Sequence, residues 1–360
     1  MKLVELETLE NEITGQNTIA TAMQRLDEVS IKILFLIDEN RKLIATLTDG
    51  DIRRALLNGY SLADHVIDVA NMNPRVLKAE DDIKKAADYI KNRIVAVPRI
   101  DEHGRLLSLI ICERGRSFVD ATDRFNLPVI VMAGGKGTRL YPYTKILPKP
   151  LIPVDDIPIS ERIINSFIKY GCSRFYMVVN YKKNMIKSYF ADSEHGNLIE
   201  FVDETTPLGT GGGIKLLEGK IDGTFILTNC DILIEENLHD IVKHHKNNNN
   251  VVTMVCSLKN YTIPYGVVKF EEGGEISSFE EKPKMSFFTN TGYYILEDKV
   301  LGYIEENESI GMPDIIDRVR QDGLKVGIYP ISENSWLDMG QFDTMEGMER
   351  RLREIEGQWN

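Results

Sequence analysis

Leu127-Pro-Val-Ile-Val-Met-Ala-Gly-Gly-Lys-Gly-Thr-Arg-Leu140 joins an apolar run directly to a glycine loop. Val129 to Met132 predicts a short buried strand. Ala133 closes it, and Gly134, Gly135 and Gly137 follow at once. Glycine lets the backbone approach a ligand closely and adopt positive φ without steric cost. Successive amide N–H groups of such a loop can ring a triphosphate. Arg139 and, further along, Lys149 add a planar fork and a point charge for phosphate oxygens. A lone Gly-Gly-x-Gly also suits a plain turn beside solvated basic residues. The string is neither Gly-x-Gly-x-x-Gly nor followed by Gly-Lys-Ser/Thr, so it departs from the two commonest nucleotide loops.

Outward from this stretch, strands and helices alternate. Ser160 to Tyr170 has helical spacing, Phe175 to Val179 is a strand, and Lys183 to Phe190 is a helix. Leu198–Val202, Thr224–Thr228 and Val251–Cys256 read as further strands. The alternation predicts parallel βαβ units in an α/β, doubly wound, mostly parallel sheet. Ligands of such sheets sit at the carboxyl ends of strands, at a switch in strand order. Candidate residues fall there. Pro207-Leu-Gly-Thr-Gly-Gly-Gly213 reads as a glycine turn leading into a helix at Ile214. Asp231 follows a strand and suits a hard Mg²⁺ ion, or equally a helix cap or turn. His244 and His245, beside Asn247–Asn250, read as a solvated loop without a catalytic role.

Ala133-Gly-Gly-Lys-Gly-Thr-Arg-Leu-Tyr-Pro-Tyr-Thr-Lys-Ile-Leu-Pro-Lys-Pro150 resembles the signature of the sugar-1-phosphate nucleotidyltransferases, of the mannose-1-phosphate guanylyltransferase-like kind. The resemblance runs over roughly residues 127–350 and implies a Rossmann-like nucleotidyltransferase fold. It implies nucleotide contacts from Ala133, Gly134, Gly135, Gly137 and Thr138, and from Gly209 and Thr210 of the Leu-Gly-Thr string. Trp336-Leu-Asp-Met-Gly340 resembles the family's Trp-x-Asp-x-Gly, which makes Asp338 a second Mg²⁺ ligand beside Asp231. Cys230 stands where the family usually has Gly. Gly266 of Tyr265-Gly-Val-Val268, Glu281 and Lys282 of the Glu-Lys-Pro string, and Asn290 of Asn290-Thr-Gly292 would bind the sugar 1-phosphate. The implied reaction joins an NTP and a sugar 1-phosphate into an NDP-sugar and pyrophosphate, with Arg139, Lys149, Asp231 and Lys282 as the catalytic set. GTP and a mannose- or amino-sugar-like phosphate for surface glycans lead; CTP, dTTP and UTP are the alternatives.

Residues 1–122 read as a repeat, with 127–360 as the transferase domain. Thr18–Leu26 predicts a helix, Ile33–Ile37 and Leu43–Leu47 strands, and Thr48-Asp-Gly-Asp51 opens a helix to Leu57. Ile83–Ile90, Val95–Ile100 and Leu106–Ile111 repeat the order. This resembles a tandem CBS domain pair, which implies AMP or ATP bound in the cleft between the copies. Thr48 and Asp51 match the family's Thr/Ser-x-x-Asp, whose Asp accepts from ribose hydroxyls. The aligned Ile111 and Arg114 of the second copy cannot. Thr48 and Asp51 also suit a plain helix cap, and the module then serves as an oligomerisation or docking surface. A regulatory nucleotide sensor with a degenerate transferase domain is the competing reading.

The 360 residues are enough for two or three domains. A net charge of −12 argues against a nucleic-acid partner, which needs a basic stripe. The four cysteines are widely spaced, which predicts reduced thiols and no zinc site. Neither a signal peptide nor a membrane span is expected, so a cytoplasmic homo-oligomer is. A helix is expected over Phe342–Ile355, with no hexapeptide-repeat domain after it.

Overall fold

The computed structural model describes residues 2–7, 9–29, 31–86, 89, 96–113, 125–340 and 347–348. Arg114, Val95, the connector at 121–124 and nearly all of the Phe342–Ile355 helix lie outside them. The chain divides into two compact units, residues 1–117 with 260–286 and residues 118–259 with 287–360. The segment 260–286, assigned to the transferase domain from sequence, thus groups with the N-terminal residues.

In the first unit, β1 (Lys2–Leu6) pairs with β7 (Leu106–Glu113) in a four-stranded sheet ordered β1-β7-β6-β5, with β6 Ala96–Ile100 and β5 Leu77–Lys78. A second sheet has order β2-β3-β4: Glu12–Ile13, Ile33–Ile37 and Leu43–Thr48. α1 (Ile19–Glu28) starts at Thr18, whose side chain accepts from the Thr21 N–H. α2 (Asp49–Leu57) starts at Thr48. The two strand–turn–strand hairpins, β3–β4 and β6–β7, are both antiparallel, each with an irregularity before its last pair. Phe35, Leu106 and Leu109 share one buried cluster, so the duplicated strands form a common core.

The second unit is built on a seven-stranded sheet. β8 (Val129–Met132) is fully buried, as its unbroken apolar run requires for a strand covered on both faces. Val129 and Val131 enter one core cluster, Ile130 and Met132 the other, because successive side chains alternate. After α3 (Tyr143–Ile146) and a small β9–β10 pair (Pro153–Val154, Ile157–Pro158), α4 (Ile159–Ile168) leads to β11 (Phe175–Val179). α5 (Lys183–Ala191) then leads to β12 (Ile199–Asp203), and α6 (Gly209–Lys215) to β13 (Thr224–Asn229). β14 (Ile232–Ile234), α7 (Leu238–Asn247) and β15 (Val252–Thr262) follow. The ribbon β16–β17 (Val267–Phe270, Ile276–Glu280), which comes next in the chain, belongs to the first unit. β18 (Lys284–Glu297), α8 (Met312–Gln321), β19 (Val326–Ile331) and β20 (Trp336–Asp338) follow it.

The strand order is β12-β11-β8-β13-β18-β15-β19. β12, β11, β8 and β13 are mutually parallel, as are β15 and β19, while β18 runs antiparallel to β13. Helices cover both faces. Ile163, Ile164 and Phe167 of α4, Ile186 and Phe190 of α5 and Ile241 of α7 pack on one side. Ile214 of α6 and Met312, Ile315 and Val319 of α8 pack on the other. Each such fully buried side chain contributes roughly 1.5–3 kcal/mol. From β8 the chain winds outward to β11 and β12, then returns to place β13 on the other flank of β8. That reversal is a topological switch point, and it lies at the ends of β8 and β13.

Two expectations change. The helix begins at Gly209, inside the glycine run and not after it. A Cβ on Gly211 or Gly212 would overlap the carbonyl oxygen of Ile310 or Glu308, so the glycines serve close packing of the helix on that segment. His245 is buried, 1% exposed, and not in a solvated loop. Its Nδ1 lies 2.8 Å from Thr253 Oγ1 and its Nε2 2.9 Å from Glu297 Oε1, which ties α7 to β15 and β18. Among the described residues no helix is long and apolar enough to cross a membrane.

Candidate active site

The switch point gathers the first set of candidates. Ala133 N donates to Val178 O at 2.8 Å, carrying the β8 register one residue past the strand. Gly134, Gly135 and Gly137 then form the loop. Gly137 has φ +64, and a Cβ there would lie 2.8 Å from Thr144 and 3.1 Å from Lys149 Cβ. This close approach folds the loop onto the segment that carries Lys149. A Cβ on Gly135 would meet nothing within 4 Å, so this backbone faces open space. Thr138 and Arg139 are exposed in the turn that follows.

Asp231 stands beyond the end of β13, the neighbour of β8. Lys149 Nζ donates to Asp231 Oδ2 in an ion pair whose side chains are only 13% and 12% exposed. Asp338 arrives from the far end of the chain. β14 pairs antiparallel with β20 so that Ile232 faces Asp338, and Met339 N donates to Asp231 O at 2.9 Å. Burial, and then the neighbouring Asp231 charge, push the Asp338 carboxyl above its ordinary value. The Gly340 N–H, 2.7 Å away, Lys149 and Arg139 pull it back. Arg139, Lys149, Asp231 and Asp338 therefore form one electrostatic group. Among the described residues no cluster of three or more His, Cys, Asp or Glu could hold a metal. Two hard carboxylates, one in excess of its cationic partner, are donors of the type that could hold a Mg²⁺ ion.

Cys230 turns into the core with Ile232 and Leu238, and burial pushes its thiol up to about 12. A residue whose side chain points away from the site is tolerated where the family has Gly, and it supplies no thiolate. Asn229 lies against Gly292, where φ is +82 and a Cβ would overlap its amide. Gly292 thus packs against the residue two positions before Asp231. Asn290 Oδ1 accepts from Gly292 N at 2.9 Å and its Nδ2 donates to Tyr294 Oη at 2.6 Å.

Glu204 is a residue that motif reasoning missed. It follows β12 directly and is buried. A Cβ on Gly134 would lie 2.5 Å from its Oε2, and one on Gly213 would lie 2.7 Å from its Oε1. The carboxylate thus sits between the glycine loop and the helix that carries Gly209 and Thr210. Burial raises its pKa, and the Leu208 N–H opposes the rise. Its position after a sheet strand, like that of Asp231 after β13, was the available signal.

The ribbon residues belong to the first unit. A Cβ on Gly266 would meet Phe279 at 2.5 Å and Glu281 Oε2 at 2.9 Å, so Gly266 and Glu281 are neighbours across β16–β17. Lys282 is exposed with φ +48. In α2, Thr48 and Asp51 form a reciprocal capping box. Asp51 Oδ2 accepts from Thr48 N at 2.9 Å and Thr48 Oγ1 at 2.6 Å, and its Oδ1 pairs with Arg54.

A glycine loop and a carboxylate pair with two attendant cations stand at the switch point of a doubly wound α/β sheet. The chain belongs to the nucleotidyl transferase family, whose profile matches residues 128–354. It is 30% identical over 243 residues to "Bifunctional protein GlmU" of Methanococcus aeolicus, covering 64% of this chain and 55% of that protein. It is 30% identical over 224 residues to "Probable mannose-1-phosphate guanylyltransferase 3" of Oryza sativa subsp. japonica, covering 60% and 62%. A "UTP--glucose-1-phosphate uridylyltransferase" of Synechocystis matches at 29% over 60% of each. The chain thus spans 55% to 62% of the length of these relatives. The crystal structure of HddC from Yersinia pseudotuberculosis shares the fold, with TM-score 0.51 and 21% identity over 63% of this chain and 99% of that one.

Proposed function

We propose that this protein transfers a nucleotidyl group from an NTP to a sugar 1-phosphate, releasing pyrophosphate. The observation that carries the proposal is the β14–β20 ladder, which joins Asp231 and Asp338 beside Lys149 and Arg139 beyond the end of β13, the neighbour of the glycine-loop strand. The attacking phosphate oxygen is already an anion, so no general base is needed. The work is to bring polyanions together and stabilise their charge. Amides of Gly134, Gly135 and Gly137, with Arg139, hold the β- and γ-phosphates. Lys149 is poised to exchange its pairing with Asp231 for a phosphate oxygen. Asp231 and Asp338 would hold Mg²⁺, which supplies charge neutralisation for phosphate oxygens. For Gly266, Glu281, Lys282 and Asn290 at the sugar phosphate, the motif match is the support.

GTP is the preferred nucleotide in this reading. Guanine presents two adjacent donors, N1–H and N2–H, to a carboxylate. The other bases present one donor beside acceptors. Glu204, flanked by Gly134 and by Gly213, is a carboxylate beside the glycine loop. The N-terminal unit, with its duplicated hairpins, acts as a tandem CBS module that senses adenine nucleotide through Thr48 and Asp51. A cytoplasmic homo-oligomer belongs to the same reading.

The test is pyrophosphate release over four NTPs and a panel of sugar 1-phosphates, with and without AMP. Turnover with GTP, lost in Asp231→Ala while the fold is retained, is expected. Unchanged turnover in that variant with Mg²⁺ present would refute the assignment. Absence of AMP binding by calorimetry would leave the N-terminal unit a structural part.

A further inference from the structure

Tyr181 and Lys182 link β11 to α5 and belong to no motif. Lys182 has φ +51, in the left-handed region that residues with side chains rarely occupy. From that conformation its Nζ donates to the carbonyl oxygens of Lys145 at 2.5 Å and Ile146 at 2.6 Å. These are terminal carbonyls of α3 and have no intrahelical partner of their own. Tyr181 Oη donates to the preceding carbonyl, Thr144 O, at 3.3 Å. Tyr181 N reaches Gly134 O at 3.4 Å, and Thr144 Oγ1 donates to Gly137 O at 2.9 Å. Two consecutive residues thus hold three consecutive carbonyls and one loop glycine.

What they hold separates Arg139 from Lys149. α3 and its approach have little core of their own: Tyr143 and Ile146 of the helix are 53% and 72% exposed, and Tyr141 before it 62%. Four residues of helix in water do not stay formed unaided. Beside the close approach of Gly137 to Thr144 and Lys149, an external clamp therefore helps to fix the distance between the glycine loop and the Lys149–Asp231 pair. We propose that Lys182 is a positioning residue for nucleotidyl transfer. It clamps Thr144–Ile146 so that Lys149 and Arg139 address the same phosphate chain, without itself touching substrate. The inference rests on the transfer reading above, and its test separates the two.

Lys182→Met and Lys182→Arg are compared with the wild-type protein in two assays. One measures kcat and KM in pyrophosphate release. The other measures the rate of limited trypsin cleavage after Lys145, which needs no turnover. Lys182→Met removes the donor and keeps the length. The expected result is a kcat lower by about ten- to a hundredfold, the scale of a misplaced catalytic group, with a smaller change in KM. Cleavage after Lys145 should be several-fold faster. Lys182→Arg, which still donates to two carbonyls, should restore most of both. Wild-type kcat and wild-type cleavage in Lys182→Met would overturn the proposal, as would failure of Lys182→Arg to restore either. If the wild-type protein turns over no NTP, the transfer reading falls. The cleavage rates then still decide whether Lys182 clamps the segment.

Discussion

The backbone N–H of Met339 donates to the carbonyl oxygen of Asp231 at 2.9 Å, and this bond sets Asp338 beside Asp231 although more than a hundred residues separate them. The ladder continues through Leu337 opposite Leu233 and Trp336 opposite Ile234. Leu337 and Leu233 are both in the core, and Lys259 lies 5.0 Å over the Trp336 ring while donating to Glu333 at 2.8 Å. The two carboxylates are thus held together by packing, against their mutual repulsion.

That repulsion gives a prediction with opposite signs for stability and activity. The folded-state pKa of Asp338 is raised, first by burial and then by Asp231. A carboxyl with a raised pKa contributes no penalty below its unfolded value of 3.8, where both states are protonated. Its destabilisation grows as pH rises above 3.8 and is complete once pH exceeds the folded value. Asp338→Asn should therefore raise the melting temperature at pH 7, with the gain shrinking as pH falls towards 4. The same variant should lower kcat by about 10²–10³, the usual cost of one preorganised charge. Thermal melts across pH beside pyrophosphate release check both. A loss of melting temperature at pH 7 would show that the carboxylates are not in opposition.

The glycines separate packing from ligand contact. A Cβ on Gly212 would overlap Glu308 O and come within 3.0 Å of Leu208 Cβ. Alanine favours a helix over glycine by about 1 kcal/mol, but overpacking typically costs about 1–3 kcal/mol. Gly212→Ala should destabilise the fold by about 1–2 kcal/mol despite its propensity. Gly135→Ala meets no protein atom within 4 Å and should leave the melt unchanged. Its added methyl group faces the open side of the loop, so KM for the NTP should rise about tenfold or more, the effect of one lost charge-assisted contact. Urea melts and saturation kinetics on the two variants distinguish these outcomes.

Much of this was legible in the sequence because β8, β11 and β13 are buried on both faces. Such strands must be continuous apolar runs, and the runs mark them to within a residue. The glycine loop was legible because Gly134, Gly135 and Gly137 mark where the strand stops and the backbone turns. Three features were not. Glycine signals a loop, so a helix through Gly209–Gly213 is hidden until Ile310 and Glu308 are seen against it. A single carboxylate after a strand looks like any turn residue, so Glu204 stands out only through its contact with Gly134 and Gly213. The ribbon lies between β15 and β18, of 11 and 14 residues, and no change of composition marks where it leaves the sheet.

Glu204 offers a test of base selection. A carboxylate facing two adjacent donors discriminates by about 1–3 kcal/mol for each good bidentate pair. Glu204→Gln keeps the shape but replaces one acceptor by a donor, which would face the N–H of guanine. The ratio of kcat/KM for GTP over UTP should fall by about tenfold or more, mostly through the GTP value. The melting temperature should hold or rise, since the variant no longer buries a carboxyl whose pKa is raised by burial. Competition assays with mixed GTP and UTP read the ratio directly. A uniform loss with all four NTPs would place Glu204 in support of the loop and not in base selection.

The buried His245 should make stability fall on acidification. Burial lowers its pKa from the ordinary 6.5, and the adjacent Glu297 carboxylate opposes this without reversing it. Thr253 Oγ1, Asn250 Nδ2 and Thr224 Oγ1 complete the polar shell, with Asn250 donating to Thr253 at 2.9 Å and Thr224 donating to Glu297 at 2.8 Å. A histidine held neutral in the fold and protonated more readily when unfolded loses stability as pH drops through 6.5 towards its folded value. Between pH 7.5 and pH 5.5 the melting temperature should decline, and His245→Gln should flatten that decline while lowering the melt at pH 7.5. Gln can bridge only imperfectly between Thr253 and Glu297, and a buried polar group left without a partner costs about 1–3 kcal/mol. The same slope in wild type and variant would assign the acid sensitivity to other groups.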